Sequence, residues 1–153
     1  MYSNELVCNI LDYLDKNINT DLSIDLISSI FCYDKFYIMK RFKKEIGTSI
    51  FNYINAIKVY NSLKFFKNDD SILKIALESG FNSLEYFSEI FKKVMGVNPT
   101  AYRYFVKYDI RVKDNEVTTI INSLVKLDEL KSFITFYRRR VKPSSALVKK
   151  LSL

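Results

Sequence analysis

Histidine is absent from this chain of 153 residues, and cysteine occurs only twice, at Cys8 and Cys32. Without histidine, neither a Ser-His-Asp or Cys-His nucleophile nor a histidine-based zinc site can be built. Two cysteines are too few for a disulfide framework or a multi-cysteine metal site. We therefore expect a protein that is not an enzyme and that holds no metal ion and no other cofactor.

Proline and glycine are scarce as well, with two and three residues, so long regular elements must account for most of the chain. No apolar run approaches the roughly 20 residues that a membrane-spanning helix needs. Residues 1–14 lack a basic region and carry Glu5, Asn9 and Asp12 among their apolar positions, unlike a secretory signal. These features predict a protein that stays in the cytoplasm.

The formal net charge of +7 indicates a polyanionic partner, but the basic excess is unevenly distributed. Residues 1–103 contain 13 lysines and arginines against 12 acidic residues, whereas residues 104–153 contain 11 against 5. The first of these segments is nearly neutral. Any contact that it makes with a polyanion therefore depends on the local placement of its charges.

Helix signals recur along the chain, and no strand alternation is sustained. Capping residues and apolar residues at helical spacing predict seven helices before residue 104. These helices begin at or near Ser3, Ser23, Asp34, Ser49, Ser71, Ser83 and Asn98. The fourth runs to about Lys67, and the third and sixth end at Gly47 and Gly96, since glycine suits the left-handed position after a helix.

An internal repeat is the most informative feature of the sequence. An offset of 48 residues relates Ser23 to Ser71. One inserted residue in the turn changes the offset to 49, which relates Asp34 to Ser83. Each copy consists of a cap, a short helix, a tight turn, a second cap and a longer helix that ends in Phe-Lys-Lys and a glycine, which are the dimensions of a helix-turn-helix unit. The alternative is a pair of ordinary helical hairpins within a bundle.

The second copy also carries a set of residues typical of one protein family. The set comprises Ile75-Ala76, Gly80-Phe81, Ser83, Tyr86-Phe87-Ser88, Phe91-Lys92-Lys93, Gly96, Pro99 and Tyr102-Arg103. The first copy adds Leu22-Ser23 and the run from Phe42 to Gly47. With these residues, the sequence over about 6–103 resembles the DNA-binding domain of the AraC/XylS family of transcription regulators.

The resemblance implies an all-α DNA-binding domain over residues 1–103. Two helix-turn-helix subdomains, at about 4–47 and 71–103, are joined by a long linker helix at about 49–67, and a C-terminal helical extension with a basic tail follows over 104–153. Members of the family activate or repress promoters, often contact RNA polymerase, and in many cases carry a sensor domain ahead of the DNA-binding part. Because the resemblance begins close to the first residue, the chain is similar to the stand-alone members.

These implications predict a sequence-specific transcription regulator that binds double-stranded promoter DNA. Its third and sixth helices are the recognition helices, and they enter adjacent major-groove segments. We expect a monomer on an asymmetric site. The alternative belongs to another functional class. It is a protein-interaction regulator that binds RNA polymerase or another transcription factor and binds DNA only weakly.

On the third helix, Ile38 and Phe42 lie four residues apart and belong to the inward face. The opposite stripe and its flanks consist of Lys35, Phe36, Met39, Lys40, Lys43 and Lys44. Lys40 can donate to guanine O6 or N7, the later lysines suit phosphates, and Phe36 can lie against a thymine methyl group. The resemblance places Phe36, Met39 and Lys40 at base-contacting positions. The alternative is that Phe36 and Met39 are core residues of a helix that is apolar on two sides.

The corresponding DNA-binding positions of the sixth helix are Leu84, Glu85, Ser88, Glu89 and Lys92. Two acids are unexpected here, because a phosphate backbone repels carboxylates and many relatives place an arginine where Glu89 stands. Glutamate can accept a hydrogen bond from cytosine N4, so either carboxylate can read a base. The asymmetry between the two helices predicts that the first unit supplies most of the affinity.

Three residues depart from the family pattern. Cys32 occupies a turn position often held by glycine, so the first turn must either avoid a positive φ or accept some strain. We expect Cys32 to be buried and inert rather than a redox sensor, because neither thiol has an obvious resolving partner. Lys58 and Ser62 stand where the linker helix usually has arginine and alanine.

Beyond the resemblance, residues 116–141 predict one more helix, with apolar residues at helical spacings from Val117 to Ile134. Its apolar stripe must be buried, either against the second subdomain, which we favour, or against a second copy in a dimer. The basic residues that follow, Lys142, Lys149 and Lys150, form either an arm that touches phosphates or a solvated terminus.

Overall fold

The computed structural model describes residues 3–107 and 114–141, which form eight α-helices, one 3₁₀ segment and no strand. The helices are α1 (Ser3–Lys16), α2 (Ile24–Phe31), α3 (Lys35–Ile46), α4 (Ile50–Ser62), α5 (Ile72–Glu78), α6 (Leu84–Met95), α7 (Pro99–Lys107) and α8 (Asp114–Val141). The predicted all-α fold is therefore confirmed. The end of the predicted linker helix, Leu63–Lys67, is wound as the 3₁₀ segment rather than as α-helix.

The described residues divide into two compact units. Unit 1 comprises residues 3–17, 22–50 and 129–141, and unit 2 comprises residues 18–21, 51–107 and 114–128. Each unit contains one helix-turn-helix, formed by α2 and α3 in unit 1 and by α5 and α6 in unit 2. The basic residues of the predicted tail, Lys142, Lys149 and Lys150, lie outside the described residues.

Unit 1 is built around α3, against which both α1 and α2 pack. Its buried apolar residues include Leu6, Val7, Ile10, Leu11, Leu14, Ile27, Ile38, Phe42 and Ile46. Residues three or four apart share one face of a helix, so these spacings bury one side of each helix. The Ser23 hydroxyl accepts a hydrogen bond from the Leu26 N–H at 3.1 Å and so caps α2. The Asp34 carboxylate caps α3 by accepting from the Phe36 and Tyr37 N–H groups at 3.0 and 3.2 Å.

The turn between α2 and α3 places Cys32 at φ 57°, in the left-handed region that favours glycine. Gly80, at the equivalent position of the second turn, has φ 85°. The first turn therefore does not avoid a positive φ but accepts the strain of one at a non-glycine residue, which costs about 1–3 kcal/mol of folding free energy. The Ser28 hydroxyl donates to the Tyr33 carbonyl oxygen at 2.5 Å and closes this turn.

Cys32 is exposed, so the prediction that its thiol is buried is wrong. Cys32 is the C-cap residue of α2, so it lies just beyond the last turn of that helix, which packs on α3. A left-handed residue at that point carries its side chain away from the buried face of the helix. The buried thiol of the pair is that of Cys8.

A continuous set of aromatic rings forms the centre of unit 2, comprising Phe66, Phe81, Phe87, Phe91 and Tyr102. Neighbouring rings in the set have centroids between 5.0 and 5.6 Å apart. Tilted and edge-to-face pairs at these distances attract each other beyond the area that they bury. The rings belong to the 3₁₀ segment, the second helix-turn-helix and α7, so these parts share one core.

Residues of α8 are buried in both units. In unit 2, Ile120 and Leu127 belong to the core, which confirms the predicted packing of this part of the helix on the second subdomain. In unit 1, Ile134 is buried, and the Arg138 guanidinium donates to the Asp15 carboxylate at 2.7 Å. The extension is therefore an integral part of the packed structure over the described residues.

Lys58 of α4 is only 8% exposed, although lysine is rarely buried without partners. Its Nζ donates to the carbonyl oxygens of Thr20 at 3.2 Å and Gly80 at 3.0 Å, and it lies 5.5 Å from the centre of the Phe81 ring. Burial lowers the pKa of Lys58, and the nearby Asp21 carboxylate partly opposes that shift. Lys58 thus joins α4 to the turn of the second helix-turn-helix.

Replacing Lys58 by methionine is expected to lower the free energy of unfolding by about 1–3 kcal/mol, because two partly buried carbonyl groups lose their donor. Lys58→Arg should keep most of the stability, since a guanidinium also donates to carbonyl oxygens. Lys67→Met, at an exposed position of the 3₁₀ segment, is the control and should stay within about 0.5 kcal/mol of wild type. Urea unfolding followed by circular dichroism measures all three. Equal stability of Lys58→Met and Lys67→Met would contradict this role for the ammonium group.

Candidate nucleic-acid interface

The face of α3 opposite its core residues is exposed. Ile38 and Phe42 are completely buried, whereas Phe36 is 67% exposed. The other predicted site residues of this helix fall into two groups. The exposed ones are Lys40, Lys43 and Lys44, and the half-buried ones are Lys35 and Met39. The alternative in which Phe36 is a core residue is therefore wrong, and Met39 lies at the boundary between core and surface.

Two of the five basic residues of α3 are paired with acids. The Arg41 guanidinium lies 2.8 Å from the Glu45 carboxylate within the helix. The Lys35 ammonium is 3.4 Å from the Asp25 carboxylate. The other three basic residues of α3 form no ion pair within the described residues, and they are Lys40, Lys43 and Lys44. These three charges are available to phosphates or to base edges.

The corresponding face of α6 is exposed as well, but the helix carries two acids and two lysines and so has no net charge. Glu85, Glu89 and Lys92 are exposed, and Leu84 and Ser88 are half-buried. The Lys93 ammonium lies 3.6 Å from the Glu89 carboxylate, and both side chains are more than half exposed. Lys93 therefore offsets part of the negative charge of this face.

Two exposed tyrosines at equivalent positions were missed by the reasoning from sequence. Tyr37 of α3 is 39% exposed and Tyr86 of α6 is 48% exposed. The 49-residue offset of the repeat relates one to the other, and that offset is the signal that would have identified them. Neither tyrosine belongs to the stripes of DNA-binding residues that the sequence predicts.

The described residues, 3–107 and 114–141, contain neither a group of metal ligands nor a membrane-spanning helix. No three or more cysteine, aspartate or glutamate side chains in these ranges are grouped so that they could hold a metal ion. None of the helices in the same ranges is both long and apolar enough to cross a membrane.

A family profile and several known proteins match large parts of the chain. A family profile described as "Helix-turn-helix domain" matches residues 27–104. The uncharacterized HTH-type transcriptional regulator YbfP of Bacillus subtilis is 31% identical over 108 residues, which are 70% of this chain and 37% of YbfP. The multiple antibiotic resistance protein MarA of Escherichia coli is 32% identical over 96 residues, which are 62% of this chain and 76% of MarA.

A solved structure shares the fold. It is a transcriptional regulator from Chromobacterium violaceum, described as an AraC-type DNA-binding domain-containing protein. The TM-score is 0.58 at 22% identity, and the match covers 67% of this chain and 93% of that one. This likeness shows the fold, whereas the family is shown by the profile, which spans about half of the chain, and by the alignment with most of MarA. The chain belongs to the AraC/XylS family of helix-turn-helix transcription regulators.

Proposed function

We propose that this AraC-type regulator binds promoter DNA in a sequence-specific manner through α3 and α6, which enter adjacent major-groove segments, and that α3 supplies most of the affinity. The observation that carries this proposal is the difference in charge between the two helices. α3 has five basic residues and one acid, whereas α6 has two of each. Because neutralisation of phosphates supplies much of the affinity for DNA, the more basic helix binds more strongly.

On α3, the exposed Lys40 is assigned to guanine, where its ammonium donates to O6 or N7. Phe36 projects an apolar ring into solvent and suits a thymine methyl group, and the half-buried Met39 borders that contact. Phosphate contacts are assigned to Lys35, Lys43 and Lys44. The last two lie in the final turn of the helix and have no ion pair within the described ranges, so their charges are free to attract the backbone.

On α6, the exposed Glu85 is assigned to a cytosine amino group, since a carboxylate accepts from N4, whereas the exposed Glu89 is assigned to the rim of the contact, next to the phosphate backbone. Lys92 is assigned to a phosphate, and the half-buried Leu84 and Ser88 complete the contact surface. Carboxylates near phosphates cost binding energy, because the two negative charges repel each other. This cost explains why α6 contributes less affinity than α3.

We further assign DNA binding to residues 1–103 and a supporting role to residues 104–153, because Ile120 and Leu127 of α8 are buried in the core of unit 2. One chain contains two helix-turn-helix units, so a monomer suffices for a site with two half-sites. As a chromosomal DNA binder, the protein acts in the cytoplasm, at the nucleoid.

A second candidate function, contact with a protein such as RNA polymerase, is favoured by exposed apolar residues on the first helix of each helix-turn-helix. Leu26 and Ile30 of α2 are 39% and 43% exposed, and Leu73 and Leu77 of α5 are 47% and 54% exposed. The members of each pair are four residues apart and share a helix face. Grouped apolar side chains at a surface are typical of protein contact sites. This function is compatible with DNA binding.

Selection of DNA ligands tests the proposed function. The purified chain is incubated with a pool of random double-stranded DNA at moderate salt, and the retained DNA is sequenced over successive rounds. One enriched motif is expected, because base contacts add discrimination to the uniform attraction of phosphates. Retention without any enriched motif would contradict sequence-specific binding and favour the protein-binding function.

Two lysine substitutions separate base reading from phosphate binding. Lys40→Ala is expected to weaken binding to the selected motif by about 1–3 kcal/mol and to relax the preference at one base pair. Lys44→Ala should weaken binding to all sequences equally and reduce the salt slope by about 1. Fluorescence anisotropy on the motif and on its single-base variants, at several salt concentrations, measures both effects. Lys126→Ala, at an exposed position of α8, is the control. A loss equal to that of Lys40→Ala in this control would show that only overall charge matters.

Glu89→Arg is expected to strengthen DNA binding and to steepen its salt dependence, because a repelled carboxylate is replaced by a group that pairs with phosphate. The change also releases Lys93 from its ion pair. Glu78→Arg, which makes the same change of charge at an exposed position of α5, is the matched control. Salt titrations of both variants on the selected motif give the comparison. Unchanged affinity and salt slope in Glu89→Arg would mean that this face of α6 lies away from the phosphates.

A further inference from the structure

Tyr37 and Tyr86 occupy equivalent positions of the two recognition helices. Each is the third residue of its helix, and the 49-residue offset of the repeat relates the two. The residue that follows each tyrosine, Ile38 or Phe87, is completely buried, whereas the tyrosines are 39% and 48% exposed. Both rings therefore lie beside the outward face of a recognition helix, close to its N-terminal end.

An aromatic residue of the preceding turn supports each ring. In unit 1, the rings of Tyr33 and Tyr37 are stacked, with centroids 5.5 Å apart and an interplanar angle of 16°. In unit 2, the rings of Phe81 and Tyr86 have centroids 6.0 Å apart and are tilted by 55°. A ring held in this way loses little conformational freedom when its hydroxyl binds a partner, which favours binding.

The backbone of each tyrosine is anchored by the helix cap. The Tyr37 N–H donates to the Asp34 carboxylate at 3.2 Å, and the Tyr86 N–H donates to the Ser83 hydroxyl at 3.1 Å. The same combination of cap bond and aromatic support thus recurs in both units, although the charges of α3 and α6 differ. Because this combination does not depend on the charge of the helix, it suits a contact that α3 and α6 make in the same way.

We propose that Tyr37 and Tyr86 are a matched pair of phosphate contacts, in which each hydroxyl donates a hydrogen bond to a phosphate oxygen at the rim of the groove that its helix enters. The proposal rests on the proposed DNA binding and deepens it. Tyrosine is among the side chains that donate to DNA phosphates, and such contacts position a protein without reading sequence. For α6, which has no net charge, a neutral donor provides docking without a further lysine.

Tyr37→Phe and Tyr86→Phe test the proposal, because phenylalanine keeps the ring and its contact with the turn but lacks the donor. Binding of the whole chain is measured by fluorescence anisotropy on the selected motif and on a scrambled duplex, over a salt series. Each variant is expected to bind both duplexes roughly three- to tenfold more weakly, as for the net loss of one ordinary hydrogen bond at an exposed position. The salt slope should not change, since no charge is removed.

Tyr13→Phe is the matched control. The Tyr13 ring of α1 also pairs with an aromatic residue, Phe31, at a centroid distance of 6.0 Å, but it lies on neither recognition helix. This variant should bind both duplexes with wild-type affinity. Thermal unfolding of all three variants separates a loss of affinity from a loss of stability.

Neutral methylphosphonates placed at single phosphates identify the acceptor. At the contacted phosphate, this replacement should weaken binding of the wild type but leave binding of the corresponding phenylalanine variant unchanged. Wild-type affinity in both tyrosine variants would overturn the phosphate role and leave the proposed DNA binding intact. A loss confined to the selected motif would also overturn it, because the hydroxyl would then read a base. Failure of the wild-type chain to bind any DNA would overturn both proposals.

Discussion

The orientation of each recognition helix depends on the burial of one narrow apolar stripe. The stripe consists of Ile38, Phe42 and Ile46 in α3 and of Phe87, Phe91 and Met95 in α6, which the 49-residue offset relates one to one. Residues four apart lie on one side of a helix and leave the opposite side to solvent. Because this burial sets the rotation of each helix about its axis, the side chains of the outward face remain accessible to a partner.

The outward faces are free to differ, since their residues contribute little to the cores. Lys40, Lys43 and Lys44 give α3 a cationic surface, whereas Glu85 and Glu89 leave α6 without net charge. Each unit thus exposes the same side of its own helix but with different side chains, and the unequal affinity proposed for the two units follows from that difference. The tyrosine near the start of each helix is the outward feature that both helices share.

The segments between the helices are held by specific contacts of single side chains. Lys58 donates to the carbonyl oxygens of Thr20 and Gly80, so a buried ammonium takes the place of the backbone partners that these groups would otherwise need. Its contact with the Phe81 ring offsets part of the cost of burying the charge. In the first turn, Cys32 keeps a strained left-handed conformation because well-packed helices on both sides determine the path of the chain.

The sequence by itself determined the order of the helices, their caps, the internal repeat and the inward position of residues such as Ile38 and Phe87, because capping and hydrophobic spacing are local properties of the chain. Only the tertiary structure decided that Cys32 is exposed at a positive φ, that Lys58 is buried, that α8 contributes to both cores and that an aromatic turn residue supports Tyr37. These features depend on which surfaces meet across long separations in the chain. A carbonyl group that accepts from a distant lysine, or a ring that stacks on a turn, leaves no periodic pattern in the residues from which it could be predicted.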